Sequence, residues 1–275
     1  YYTINRNKMK ILKLYSNTEE YYDIERRLNK PKWTKAVSAS VNFVIGSMIK
    51  DISAELSSVC AIDTHIHTEY SHCCFEPIEV TLRRSVAIGL SGVCIMDHHT
   101  TEGYKKALEV KEKLVSEGVM KENFIIVPGI EYSSSEGHIG GMFCEKDIYF
   151  RKYTAKETVD MIHDMGGVAV CVHPYRKKTG IKDIFRDLPF DAVEERAGSV
   201  FSRKYASLNY EMTKDSPFAK LGSSDAHYWS FIGSCYTVFP KECKSAEDVR
   251  EAIFRRETMA KESVNIKIIR KLLGN

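Results

Sequence analysis

The sequence has no apolar run long enough to cross a membrane and no pattern typical of a disordered or fibrous chain. A bilayer-spanning helix needs ~20 consecutive apolar residues. The longest candidate, residues 36–49, is shorter and contains Ser and Asn. Hydrophobic residues make up 43% and charged residues 28% of the 275 positions, a mixture typical of globular proteins. At this length, one large domain or two ordinary ones are expected.

The sequence also lacks C-x-x-C pairs, although it contains eight cysteines. Cys94, Cys144 and Cys171 lie in apolar runs, which favours buried free thiols in a reducing compartment over a disulfide scaffold. No signal peptide is visible. The first residue is Tyr1, so the true start either precedes it or lies at Met9. We therefore expect a cytoplasmic protein.

A strongly basic character is absent as well. Lys plus Arg is 40 and Asp plus Glu is 37, a net charge of +3, which is not typical of a nucleic-acid-binding protein. Residues 1–50 hold 10 Lys or Arg and 4 Asp or Glu, net +6, so the remainder has net −3. The basic segment is either a solvated arm or a contact for a polyanion or an anionic lipid surface.

From about residue 59 onward, short apolar runs alternate with amphipathic stretches. Seven runs have strand length and are bounded by Gly, Pro or charge: 59–62, 93–96, 124–127, 139–144, 168–172, 192–193 and 236–239. Helices are predicted between them, at 77–90, 102–117 and 156–165. This alternation predicts an α/β fold with a parallel sheet, either a barrel or doubly wound.

The first 57 residues differ from the rest and predict an N-terminal helical arm. A capping box at Ser16–Glu19 starts one helix, and Pro31 ends it. A stripe of apolar residues at helical spacing predicts a second helix packed on the domain, with a partner or membrane-surface helix as the alternative. The stripe consists of Val37, Val41, Val44, Ile45, Met48 and Ile52. The predicted division is an arm at 1–57 and a barrel at 58–275.

Histidines are concentrated directly after the first predicted strand. Of the nine in the chain, His65, His67 and His72 fall within eight residues. Side chains on a strand repeat every two residues, so a His-x-His pattern puts both imidazoles on the same side. Two imidazoles on one side at a strand end form a natural clamp for a metal ion.

Other predicted strand ends have the same residue types. In a parallel barrel, side chains at the carboxyl ends of the strands converge on one rim. The candidates beyond the first strand are His98, Glu131, His138, His173, Asp225 and His227. Seven histidines and two carboxylates are therefore expected on one rim, which predicts a metal centre.

Several ordered motifs resemble one family, the PHP (polymerase and histidinol phosphatase) domain. They are "DTHIHTEYS", "IMDHH", "VPGIEYSSSEGH", "VCVHPYR", "GSSDAH" and "IGSCYTVFP", and the resemblance covers about residues 59–260. It implies a distorted, seven-stranded β/α (TIM-like) barrel that holds a cluster of up to three metal ions.

The resemblance also implies a division of the ligands into three groups. One metal would be held by His65, His67, Glu131 and Asp225. Glu131 would bridge to a second metal, held by His138 and His173. His72, His98 and His227 would hold a third. Imidazole-rich sites with a few carboxylates suit Mn, Zn or Fe better than Mg or Ca, so two or three divalent transition-metal ions are expected.

The sequence departs from the family pattern at two places. His72 stands where many relatives have Asp, and it is followed by Cys73 and Cys74, which are either spare soft ligands or partly buried thiols. His99 stands where the family usually has a small polar or acidic residue, and it is left outside the ligand set. His163 lies inside a predicted helix and is expected to be an ordinary residue.

The predicted function is hydrolysis of a phosphate ester of a small metabolite or nucleotide through a metal-activated hydroxide. Glu131, Asp225 and His227 are the expected catalytic residues, with Arg176 as a bidentate phosphate contact. One alternative is an exonuclease-type phosphodiesterase on short single strands. That enzyme needs a basic, aromatic groove, so the net −3 of the barrel argues against it, and no stable nucleic-acid complex is expected. The other alternative is a non-catalytic domain, but every expected ligand position has a competent residue.

Overall fold

The computed structural model describes residues 32–144 and 153–273. The predicted capping box at Ser16–Glu19 and the helix end at Pro31 lie outside these residues. No helix among the described residues is both long and apolar enough to cross a membrane. All eight cysteines are free thiols, and all except the half-buried Cys73 are buried, which confirms the prediction made from their apolar surroundings.

Nine strands of the described chain form one mixed sheet that curves into a nearly closed barrel, in the order β7-β6-β5-β4-β3-β2-β1-β8-β9. The strands are β1 (Cys60–Ile66), β2 (Gly92–Ile95), β3 (Ile125–Ser133), β4 (His138–Met142), β5 (Val168–Cys171), β6 (Ala192–Ala197), β7 (Ala219–Ser223), β8 (Cys235–Phe239) and β9 (Met259–Glu262). The seven predicted runs correspond to β1 to β6 and β8. The family resemblance implies seven strands. The described sheet has nine, because it contains β8 and β9 in addition to β1 to β7.

The strand directions place most carboxyl ends at one rim. Strands β1, β2 and β3 are parallel, as are β5, β6 and β7. Strand β4 is antiparallel to both of its neighbours, β3 and β5, so the two parallel groups run in the same direction. Strand β8 is antiparallel to β1, and β9 is antiparallel to β8 and so runs in the same direction as β1. Seven strands therefore end at the same rim: β1, β2, β3, β5, β6, β7 and β9.

Eight helices surround the sheet in the described part of the chain. They are α1 (Lys32–Gly46), α2 (Ser53–Leu56), α3 (Ile78–Ala87), α4 (Glu102–Ser116), α5 (Ala155–Asp164), α6 (Arg203–Thr213), α7 (Ala246–Arg255) and α8 (Val264–Leu273). The three helices predicted within the barrel are present as α3, α4 and α5. Helix α5 starts at a capping box between Thr154 and Glu157, and the chain leaves it through Gly166, whose φ of 72° suits glycine.

The apolar core lies on both faces of the sheet. On β2, Val93 and Ile95 pack with Leu82 of α3 and Leu114 of α4. The alternate residue Cys94 belongs to a second cluster that links the strands across the barrel interior. This alternation follows from the two-residue period of a strand, and it leaves the polar strand ends at the rim to form a site.

Helix α1 exists as predicted and packs on the domain, but only part of the predicted stripe is buried. Ile45 and Ile52 are buried and Val41 packs against the core, whereas Val37, Val44 and Met48 are exposed. The helix also buries Ser38 and Asn42, which donate hydrogen bonds to the buried carboxylate of Glu76. A buried carboxylate needs hydrogen-bond donors. This requirement turns the side of α1 with Ser38 and Asn42 toward the domain, although that side is not the most apolar one.

Candidate metal centre

Two imidazoles and two carboxylates converge at the end of β1. The Nε2 atoms of His65 and His67 are 3.1 Å apart. Glu131 Oε2 lies 3.5 Å from the first nitrogen and 3.1 Å from the second. Asp225 Oδ1 lies 3.6 Å and 3.0 Å from the same two nitrogens. One ligand atom from each of these residues lies within 4.8 Å of the other three, and all four residues are buried.

The outward-facing nitrogens of these histidines already have partners. His65 Nδ1 lies 2.9 Å from Glu194 Oε1, and His67 Nδ1 lies 2.9 Å from Ser71 Oγ. When the proton of each neutral ring is on Nδ1, the two Nε2 lone pairs point at each other and at the carboxylates. Electron-pair donors buried face to face in this way need a cation between them. Nitrogen and carboxylate donors of this kind fit a divalent transition metal.

Glu131 contacts imidazoles through both of its carboxylate oxygens. Oε1 lies 2.7 Å from His138 Nδ1 and 3.0 Å from His173 Nε2. Oε2, which faces the pair on β1, also lies 3.3 Å from His98 Nε2. His98, Glu131 and His138 form a second compact group of ligand atoms. A carboxylate with ligand-type groups on both sides has the arrangement of a bridge between two cations.

The electrostatics of the centre favour bound positive charge. Burial opposes ionisation of Glu131, but the imidazoles of His138, His98 and His65 outweigh it and hold its pKa well below the ordinary value. His65 and Arg176 lower the pKa of Asp225 in the same way, against the effect of burial. These carboxylates in turn overcome burial at His67 and raise its pKa to about 9. Protons therefore compete with metal ions for this site.

The third expected ligand group is arranged differently from the resemblance. His227 Nε2 lies 3.0 Å from the sulfur of Cys73, and the ligand atoms of His67, Cys73 and His98 form the third compact group. The ring of His72 stacks on His98 at a centroid distance of 4.9 Å. His72 belongs to none of the three groups found among the described residues.

Backbone strain is concentrated at the same rim. His99, His173 and Asp225 have positive φ angles of 56°, 29° and 49°, a region that residues other than glycine rarely adopt. Such strain persists only where the surroundings enforce it, and it is common at functional sites. Here Asp63 holds the segment before Asp225, because its carboxylate accepts the backbone N–H of Ser224 at 2.9 Å. Burial raises the pKa of Asp63 to about 7.

Glu194, a buried carboxylate on β6, is not among the site residues predicted from the sequence. Its Oε1 contacts His65 and accepts a hydrogen bond from Ser223 Oγ at 2.5 Å, and its Oε2 accepts the backbone N–H of His173 at 2.7 Å. Partners of this kind fix the ring orientation of metal-binding histidines. The only signal in the sequence was a charged residue inside an apolar strand, directly after the run 192–193.

Arg176 lies beside the centre, with its Nη1 2.9 Å from Asp225 Oδ2 and its side chain 34% exposed. It is therefore an ion-pair partner of Asp225 as well as a cation at the surface. His99 lies 3.3 Å from Ser133 Oγ. His163, on α5, pairs with Asp191 at 2.9 Å, in agreement with an ordinary structural role.

The barrel and its buried centre of histidines and carboxylates define a protein with a candidate metal site, and comparisons with known proteins identify its family. A family model described as PHP-associated matches residues 211–258. An uncharacterized protein of Methanocaldococcus jannaschii is 32% identical over 144 residues, which cover 48% of this chain and 78% of that protein.

Two solved structures share the fold. One is a two-domain protein from Bacteroides vulgatus containing a predicted PHP-like metal-dependent phosphoesterase, with a TM-score of 0.59, 16% identity, and coverage of 74% of this chain and 65% of that chain. The match therefore spans slightly less than two thirds of that protein. The other is PsfC from Pseudomonas syringae, with a TM-score of 0.57, 17% identity, and coverage of 77% and 95%. The chain belongs to the PHP domain family.

Proposed function

We propose that this protein hydrolyses a phosphate ester of a small metabolite or nucleotide, using two or three divalent transition-metal ions (Mn, Zn or Fe). The observation that carries the proposal is the position of Glu131, which faces histidines through both carboxylate oxygens. A bridging carboxylate holds two cations close together, as hydrolysis by a two-metal site requires. The phosphoesterase named for the Bacteroides vulgatus structure supports the same reaction class.

The proposed metal ligands are the nine residues expected from the sequence: His65, His67, His72, His98, Glu131, His138, His173, Asp225 and His227. Eight of them contact one another within the same buried network of imidazoles and carboxylates. His72 contacts that network by stacking on His98. In this proposal, residues 58–275 form the catalytic unit, with β1 to β7 as a seven-stranded, TIM-like barrel and residues 1–57 as its arm.

The metal ions would lower the pKa of a water molecule and neutralise charge on the phosphoryl oxygens. The protein's own groups prepare the site for this chemistry. Asp225 is held by Arg176 on one oxygen and faces His67 with the other. His227 Nδ1 lies 3.0 Å from the backbone carbonyl of Asp225, which orients its ring. Glu131, Asp225, His227 and Arg176 are thus the proposed catalytic residues.

Arg176 would grip a phosphate with the N–H groups that do not bind Asp225. Guanidinium groups suit phosphate because they donate several hydrogen bonds in one plane. A small substrate is favoured over a nucleic acid because the part of the chain after residue 50 has net −3. An extended polyanion would need a continuous basic surface.

The test is metal reconstitution followed by release of inorganic phosphate from a panel of small phosphomonoesters, nucleotides and a short single-stranded oligonucleotide. The wild-type protein loaded with Mn or Zn should release phosphate from at least one small substrate. Glu131→Gln should abolish turnover, because it removes one charge from the bridge. Glu122→Gln, at an exposed residue, is the control and should retain turnover.

No turnover of any substrate by metal-loaded protein would overturn the proposal. Cleavage of the oligonucleotide alone would replace the small substrate with a nucleic acid.

A further inference from the structure

Cys73 lies in the loop between β1 and α3, at the outer side of the metal centre. Ser71 anchors this loop, because its Oγ accepts the backbone N–H of His98 at 2.9 Å and contacts His67 Nδ1 at 2.9 Å. Glu69 N donates to Glu76 O at 2.8 Å on the return of the loop. The loop is therefore held against the strand ends, and the position of Cys73 relative to the histidines is built into the fold.

The Cys73 sulfur faces nitrogen donors. Sγ lies 3.0 Å from His227 Nε2. One ligand atom each from Cys73, His67 and His98 lie within 4.8 Å of one another. The His67 ring lies 4.9 Å from that of His98 and 4.4 Å from that of His227, measured between centroids. A sulfur and several imidazole nitrogens therefore surround one small volume.

The two neighbours of Cys73 are arranged differently. The His72 ring stacks flat on His98, with 29° between the planes, and it is in none of the compact ligand groups of the described chain. Cys74 is buried and directs its thiol at the backbone carbonyl of His227, 3.4 Å away. Cys73, which lies between them, presents its sulfur to the His227 imidazole.

We propose that Cys73 is a thiolate ligand of the metal position that it forms with His98 and His227. The inference rests on the metal centre of the proposed function, and it concerns which metal binds rather than whether a phosphate ester is cleaved. On binding, the S–H bond breaks, a sulfur–metal bond forms and the proton is released to solvent.

A thiolate changes the metal preference of this position. Thiolates select soft or borderline ions such as Zn²⁺ and Co²⁺, whereas oxygen-rich sites suit Mn²⁺ and Mg²⁺. The position with Cys73 should therefore retain Zn²⁺ when a mixture of Zn²⁺ and Mn²⁺ is offered. The position formed by His65, His67, Glu131 and Asp225 has no sulfur donor and should discriminate less between the two ions.

The experiment is titration of the metal-free full-length protein with Co²⁺, followed by absorption spectroscopy. A cobalt–thiolate bond produces a charge-transfer band in the near ultraviolet that nitrogen and oxygen ligands do not produce. The band should appear in the wild type, disappear in Cys73→Ser and Cys73→Ala, and persist in Cys74→Ala. X-ray absorption of the zinc form should show a sulfur neighbour at about 2.3 Å, absent in the same two Cys73 variants.

Metal analysis separates this inference from the proposed function. Cys73→Ala should lose about one Zn²⁺ per chain and keep the ions of the other positions, because His65, Glu131 and Asp225 are untouched. A wild type that binds Co²⁺ without the band, or a band that survives in both Cys73 variants, overturns the role of Cys73 and leaves the metal centre standing. Wild type that binds no metal at all overturns both.

Discussion

Single buried side chains behind the proposed ligands set the geometry of this candidate centre, and Glu194 is the clearest case. It contacts His65 Nδ1 with one oxygen and the backbone N–H of His173 with the other. The carboxylate therefore orients one histidine ring and one backbone segment at the same time. Its neighbour Glu195 is half-buried on the same strand, which provides a matched control.

Replacing Glu194 tests this orienting role. Glu194→Gln keeps the shape but puts an amide where His65 Nδ1 needs an acceptor, so metal affinity should fall about 10–100-fold. Isothermal titration with Zn²⁺ measures the change, and Glu195→Gln should bind like the wild type. Equal affinity in the Glu194 variant would show that His65 is oriented by the strand alone.

Arg176 has two roles that a substitution can separate. If it grips a phosphate, Arg176→Ala should lower kcat/KM about 10–100-fold for a substrate with a second phosphate, since a hydrogen bond to a charged group contributes ~1.5–3 kcal/mol. An aryl phosphate, whose single phosphoryl group contacts the metals, should be affected much less.

The control is Lys177→Ala, at an exposed neighbouring residue. It should leave kcat/KM unchanged for both substrates. Equal loss for the two substrates in Arg176→Ala would mean that Arg176 acts only by holding Asp225 at 2.9 Å.

At the scale of elements, α1 shows how a polar contact overrides an apolar pattern. Asn42 donates to Glu76 and accepts hydrogen bonds from Ser230 N and Oγ at 3.2 and 3.0 Å. These contacts bury the polar side of the helix and leave Phe43 79% exposed. The periodicity of Val, Ile and Met predicted the helix correctly, but it could not reveal a buried carboxylate thirty residues along the chain.

On α1, loss of a buried polar side chain should therefore destabilise the fold more than loss of an exposed aromatic ring. Hydrophobicity alone predicts the reverse. Asn42→Ala leaves a buried carboxylate short of a donor and should destabilise the fold by ~1–3 kcal/mol. Phe43→Ala removes an exposed ring and should change the free energy of unfolding by less than about 0.5 kcal/mol. Urea denaturation measures both, and a larger effect of Phe43 would contradict the orientation of α1.

At the scale of the whole molecule, the metal centre joins distant parts of the sheet, because its residues lie at the ends of β1, β3 and β7. Metal binding should therefore stabilise the whole barrel. Elemental analysis should find about two or three transition-metal ions per chain, and chelation should lower Tm. Free metal at about 100 times Kd stabilises a fold by ~2.7 kcal/mol per site.

Calorimetry before and after chelation, with Zn²⁺ added back, measures this coupling. Less than one equivalent of metal, together with an unchanged Tm, would contradict it. Removal of residues 1–31, which belong to the basic N-terminal segment, provides a second comparison. The basic segment binds an extended polyanion if its removal lowers substrate affinity and if the affinity of the full-length protein falls steeply with salt.

The sequence by itself determined the kind of site and its place in the fold. His65 and His67 follow a buried strand with the two-residue spacing that puts side chains on one side, and the other candidate ligands follow later strands. These relations are local, so they can be recognised without a structure. The same is true of helix ends such as the one at Gly166, where a positive φ favours glycine.

Only the tertiary structure decided which side chains meet. It placed Cys73 against His227, set Glu194 behind His65, and turned α1 onto Glu76. Each of these contacts joins residues far apart in the chain, and each depends on side-chain directions that a loop or a packed neighbour imposes. Strand periodicity predicts which side of a sheet a residue occupies. It does not predict the direction of a side chain in a loop, because no repeating backbone geometry constrains it there.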